Sequence, residues 1–229
     1  MIGSRLTVVL LLAACVVSGC STTSHATQTT TAQGSVPANT ALATLDVIPR
    51  RPFPGGYDRS CDRGRGCVFG PAWTDNTDSP GGHNGCDTRD DILAAQLQQV
   101  IYKSGSRCVV VEGTLNDPYT GQTIHFTKAH AIEVQIDHIV PLALAWDLGA
   151  HAWPLQRRLD FANDPAELLA VSQAANDAKG DDGPAKWLPP NQAEQCSYVT
   201  KFVQVLAGYK LPITSADKTT VANVLAGCR

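Results

Sequence analysis

Apolar residues recur at helical spacing in some stretches of the chain and alternate with polar ones in others, and the two periods predict different elements. Asp87-Thr88-Arg89-Asp90-Asp91 sets acids ahead of Ile92, Leu93, Leu97, Val100 and Ile101, which predicts a helix over residues 88–103. Valine-rich 108–113 and alternating 123–126 flank Asn116-Asp117-Pro118-Tyr119-Thr120-Gly121, whose turn residues predict a hairpin. Residues 133–139 continue as a strand. After Pro141 come helical stretches over 142–149 and 154–162, a short apolar run at 168–171, and a helix opening at Ser172. Asn191-x-x-Glu194 is a cap pair ahead of Val199, Phe202, Val203, Val205 and Leu206, and 214–225 predicts a last helix. The sum is an α+β domain.

The N-terminus follows neither period. Arg5 precedes an apolar run over 6–17, and Ser18-Gly19-Cys20 follows, the layout of a secretory signal. Val17-Ser18-Gly19-Cys20 resembles the lipobox, whose cysteine is diacylated and becomes the first mature residue. The expectation is a lipoprotein signal over 1–19, with Cys20 as the lipid anchor. Residues 20–44 are rich in Ser, Thr, Ala and Gln and poor in large apolar residues, so they predict a flexible tether. The domain then spans 45–229.

Composition narrows the class. The 229 residues are 43% hydrophobic, enough for a sizeable core, which excludes full-length disorder. Eighteen basic against 21 acidic residues give a net charge of −3, so the chain lacks the overall positive field of a dedicated nucleic-acid binder. Any grip on a polyanion is local. Arg50, Arg51, Arg59, Arg63 and Arg65 form the densest basic stretch, open to two readings: a track for a nucleic-acid backbone or a solvated loop.

Of the eight cysteines, Cys15 lies in the signal and Cys20 at the anchor, leaving Cys61, Cys67, Cys86, Cys108, Cys196 and Cys228. An even set in an exported chain predicts three disulfides, and C-x-x-C zinc pairs are absent. Cys61 and Cys67 bracket a short loop, Cys196 and Cys228 share the C-terminal helical region, and Cys86 and Cys108 flank one predicted helix.

Candidate chemistry gathers at Asp137-His138-Ile139-Val140-Pro141-Leu142, where a predicted strand ends, and at Asn176-Asp177-Ala178-Lys179-Gly180-Asp181. Together with Asp87-Thr88-Arg89, Asp117-Pro118-Tyr119-Thr120-Gly121, Phe161-Ala162-Asn163-Asp164-Pro165 and Trp187-Leu188-Pro189-Pro190-Asn191, these segments resemble the HNH nucleases, in particular an exported branch related to the GmrSD-type C-terminal HNH domain. The resemblance implies a ββα-metal core, embellished with helices and stapled by disulfides. It implies His138 as general base, Asp137 and Asn176 as ligands of Mg²⁺ or Mn²⁺, and Lys179, one turn beyond Asn176 and facing the same way, as a charge for the phosphate. Those residue types suit phosphodiester cleavage, which needs a water activator and cations against developing negative charge.

The chain departs from the HNH pattern at Glu167, which stands where the family carries its middle asparagine. Either Asn163 replaces it, or Glu167 itself accepts a hydrogen bond from the histidine. Arg89 has open alternatives: a phosphate clamp, a pair with Asp90, or a bond to a sheet carbonyl. His25, His83, His125, His130 and His151 read as structural. The resulting expectation is a membrane-tethered or secreted endonuclease acting on DNA, with RNA as a further substrate, and with no obligate protein partner. The rival is a disulfide-stapled surface lipoprotein of the same fold that binds a partner or polymer without cleaving it.

Overall fold

The computed structural model describes residues 37–61 and 66–228, with Met1 and Gly3. The signal segment, Cys20, the tether as far as residue 36, and Arg63 and Arg65 lie outside the described residues.

The chain enters the fold earlier than its composition suggests. Ala38–Thr44 is a helix, α1, that buries Ala41 and Leu42, and Leu45 follows them into the same core. The compact unit runs over 35–229. Small residues hide this helix in the sequence, because only three apolar side chains are needed to seat it. Val47–Ile48 (β1) then pairs in parallel with Ile213–Thr214 (β7), tying the first residues of the fold to the last.

Helix α2 covers Thr88–Gln96 and is capped by Asp87, whose side chain accepts from the Asp90 amide at 2.7 Å. It stops well short of residue 103. The remaining stripe, Gln98–Tyr102, is strand β2, paired with β3 (Val110–Asn116). Leu97 turns extended, Gln99 takes a left-handed backbone, and Ile101 and Tyr102 stay exposed, so the stripe never forms a buried helix face. Strand pairing outweighs the helical period here. The predicted hairpin is present: β3 and β4 (Thr123–Thr127) run antiparallel around a turn in which Asp117 accepts from the Tyr119 amide and the Thr120 hydroxyl.

Strand β5 (Val134–His138) pairs antiparallel with β6 (Leu168–Ser172), with His138 opposite Leu168. The connection between them carries α3 (Leu142–Asp147) and α4 (Leu155–Ala162). Ser172 then caps α5 (Gln173–Lys179), accepting from the Ala175 amide, so two strands and a helix form one unit. All five residues of β6 are buried because the ladder lies between two cores. Leu168 and Ala170 face one that includes Ile92, Val110 and Phe126, while Leu169 and Val171 face another built on α6 (Gln192–Tyr209) and α7 (Ser215–Gly227). A ladder covered on both sides reads as a continuous apolar run.

Disulfides join Cys61 to Cys67, Cys86 to Cys108 and Cys196 to Cys228, the pairs expected from the sequence. The architecture is mixed α+β.

Candidate active site

Asp137 and His138 are consecutive at the end of β5, so their side chains leave the strand in different directions. Both are nearly buried, at 4% and 5% exposure, yet both reach a cavity of about 370 Å³ that Asn176 and Arg59 also line.

The Asp137 carboxylate is heavily engaged. Lys179 Nζ donates to its two oxygens at 2.8 and 2.9 Å, and the Tyr119 hydroxyl donates to Oδ2 at 2.6 Å. Burial and the Asp137 charge push the Tyr119 phenol far above its ordinary pKa, which keeps it a donor. The third Lys179 proton goes to the His138 carbonyl at 2.7 Å, and the lysine is 0% exposed. This corrects the expectation that Lys179 faces substrate beside Asn176. Its three donors are spent within the fold, because a buried ammonium must be fully paired. Lys179 holds the carboxylate and the main chain at the end of β5.

His138 donates through Nε2 to the Ala162 carbonyl at 3.0 Å. A carbonyl oxygen can only accept, so Nε2 carries the proton and Nδ1 keeps its lone pair. Nδ1 has no hydrogen-bond partner among the described residues. The Trp73 ring stacks on the imidazole at 5.5 Å and 13°, and Trp73 adopts a left-handed backbone, φ 57°, to place it there. Burial, reinforced by the Arg59 charge and less by Lys179, lowers the imidazole pKa to about 3, against the pull of the Ala162 bond. The histidine is therefore neutral throughout the neutral range and does not titrate near 6.5.

Glu167 is fully buried, and both of its oxygens accept from the Val140 amide, at 3.0 and 3.2 Å. It fastens the turn that leaves β5 and makes no bond to the histidine ring. Burial raises its carboxyl well above the ordinary range, opposed first by the Lys179 charge. Asn163 closes α4, donating to the Leu159 carbonyl at 2.9 Å, and does not hold that turn. Asn176 donates through Nδ2 to Gln135 at 2.6 Å, and its Oδ1 has no hydrogen-bond partner among the described residues.

The donor set admits a hard divalent cation. An ionised carboxylate offers about four lone-pair directions, and three on Asp137 are taken, leaving one on Oδ1, while Asn176 lines the same cavity. Two protein oxygens with water completing the shell are characteristic of Mg²⁺ rather than of zinc. Among the described residues, no three His, Cys, Asp or Glu side chains cluster as a metal site.

The family described as GmrSD restriction endonucleases, C-terminal domain, matches residues 87–224. The chain belongs to that family. It is also 38% identical over 145 residues to an "Uncharacterized secreted protein" of Arthroderma benhamiae, spanning 62% of this chain and 68% of that protein. No solved structure matches the chain.

Within the GmrSD domain, the Arg89 guanidinium donates to the carbonyl of Val134, the first residue of β5, at 2.8 Å, which is the sheet-carbonyl alternative, and to that of Ala131 in the 3-10 turn before it at 2.9 Å. Tyr119 is the site residue that the sequence conceals, since a tyrosine in an Asp-Pro-Tyr-Thr-Gly turn reads as turn chemistry. Its signal is a large aromatic in a segment otherwise built of small and polar residues. Trp73 and Arg59 precede the GmrSD domain, so its motifs do not reach them.

Proposed function

We propose that this GmrSD-type domain is an exported HNH endonuclease that depends on a divalent metal and hydrolyses phosphodiester bonds of DNA or RNA with little sequence preference. One arrangement carries the reading: a neutral histidine with a free Nδ1 sits beside Asp137 and shares a cavity with Asn176, at the junction of a strand–strand–helix unit.

His138 accepts a proton from the attacking water at Nδ1, while its Nε2–H stays on Ala162. Asp137 and Asn176 hold the cation. A bound Mg²⁺ or Mn²⁺ supplies charge stabilisation to the phosphate and the leaving oxygen. Lys179 and Tyr119 fix the Asp137 carboxylate, and Glu167 fixes the turn, so the groups are placed before substrate arrives. Export is supported by the N-terminal signal pattern, the three disulfides and the secreted relative, and Cys20 is the proposed lipid anchor. Among the described residues, no helix is long and apolar enough to cross a membrane.

The test is incubation of the purified protein with supercoiled plasmid and with RNA, in Mg²⁺, in Mn²⁺ and in EDTA. Cleavage should require metal, and His138→Ala should lower the rate roughly 10²- to 10⁴-fold. Equal activity in EDTA, or a fully active His138→Ala protein, overturns the mechanism. A folded protein that binds nucleic acid without cutting it supports the non-catalytic reading.

A further inference from the structure

Cleavage of a phosphodiester calls for a cation on the phosphate, and the basic residues expected to supply one are committed elsewhere. Lys179 is spent on Asp137 and the His138 carbonyl, and Arg89 on the Ala131 and Val134 carbonyls. Arg51 pairs with Asp147 at 2.7 Å and Asp181 at 2.8 Å. Arg59 differs from all three. Arg59 lines the cavity with His138, Asp137 and Asn176, and among the described residues its guanidinium makes no hydrogen bond and no ion pair. The neighbouring carboxylate, Asp58, accepts from the Ser60 amide instead. The Arg59 guanidinium lies 5.8 Å from the Trp73 ring, and that ring also stacks on His138.

The segment that carries Arg59, residues 51–60, is irregular but anchored at both ends. Arg51 fixes its start to Asp147 and Asp181, and the Trp146 indole donates to the Gly55 carbonyl at 2.8 Å. At its end the Val68 and Cys67 amides donate to the Asp58 and Ser60 carbonyls, and the Cys61–Cys67 disulfide closes immediately after. Arg59 thus sits on a held backbone at the mouth of the cavity, with the planar fork that matches phosphate oxygens. A guanidinium held in such a place with no ion pair among the described residues leaves its donors for an anionic ligand.

We propose that Arg59, on an arm that precedes the GmrSD domain, binds the scissile phosphate and is a catalytic residue of the site. The proposal rests on the nuclease reading and adds that the domain from residue 87 onward lacks the side-chain cation that assists the metal on the phosphate.

The experiment compares the native protein with Arg59→Gln, Arg59→Lys and His138→Ala. Cleavage kinetics are measured in Mg²⁺, and binding of a fluorescein-labelled DNA duplex is measured in EDTA over a range of NaCl concentrations. Glutamine keeps a stem against Trp73 without the charge. Arg59→Gln should lower kcat/KM about 100-fold, and losing one phosphate contact should reduce the slope of log affinity against log salt by about 0.9. Arg59→Lys should retain much of the slope, and His138→Ala should lose rate with the slope unchanged. Native kcat/KM in Arg59→Gln, or duplex binding identical to the native protein at every salt concentration, overturns the proposal. So does a lysine variant as impaired as the glutamine one with the same loss of thermal stability, which would mark Arg59 as a packing residue. A native protein that never cleaves defeats the nuclease reading instead, and the salt slope still decides whether Arg59 holds phosphate.

Discussion

At the scale of single residues, the site is governed by how each buried charge is satisfied. Lys179 and Asp137 are a pair that cannot be halved cheaply, since removing one partner from a buried ion pair costs about 3–5 kcal/mol. Lys179→Ala should therefore lower the thermal midpoint strongly, as well as activity. Loss of rate in a protein of native stability would return the lysine to the substrate side. Glu167 has the opposite signature. Its pKa is raised above the ordinary 4.5, so the folded state prefers the protonated form, and the stability it contributes is full below about 4.5 and lost as pH rises towards the folded value. Glu167→Gln keeps an oxygen for the Val140 amide and cannot ionise. Denaturant midpoints should show the variant gaining on the native protein between pH 4.5 and 7, and a constant difference would mean that Glu167 is already ionised in the fold.

Among the elements, the most informative is the short α2. A helical stripe continues past Gln96, but β2 takes it over because pairing with β3 satisfies its backbone while leaving Ile101 and Tyr102 outside the core. The Cys86–Cys108 disulfide spans this region, joining the approach to α2 with the approach to β3. A Cys86→Ser, Cys108→Ser double variant should lose about 2–4 kcal/mol, with faster amide exchange in β2 and β3 than in the β5–β6 ladder. Uniform loss of protection would show that the disulfide supports the whole domain and not this sheet. Helices α5, α6 and α7 were legible because their caps, Ser172, Asn191 and Thr214, are local signals, each accepting a backbone amide within three residues.

For the whole molecule, one ladder held between two cores sets the location of the cavity, and the arm over 51–60 closes one side of it. Where the protein resides is decided at the other end of the chain. Mass spectrometry of the membrane fraction should find a mature chain that begins at a diacylated Cys20. An unmodified, wholly soluble chain would leave the protein secreted and remove the anchor.

What the sequence determined by itself was local: the caps, the hairpin turn, the cysteine pairs and the Asp137-His138 step at a strand end. Each depends on residues a few positions apart or on spacing alone, so a linear reading contains the information. What only the tertiary structure decided was the partner of each long polar side chain. Lys179 meets Asp137 across 42 positions, Glu167 meets the Val140 amide across 27, and Arg89 reaches Val134 across 45. The same uncertainty hid Tyr119, whose hydroxyl finds Asp137 across 18 positions, and α1, whose buried Ala41 and Leu42 make sense only against α6 and α7. A flexible charged side chain carries no sequence signal for its destination. Burial selects it, because in a core of low dielectric an unpaired donor or charge costs more than any local preference can offset.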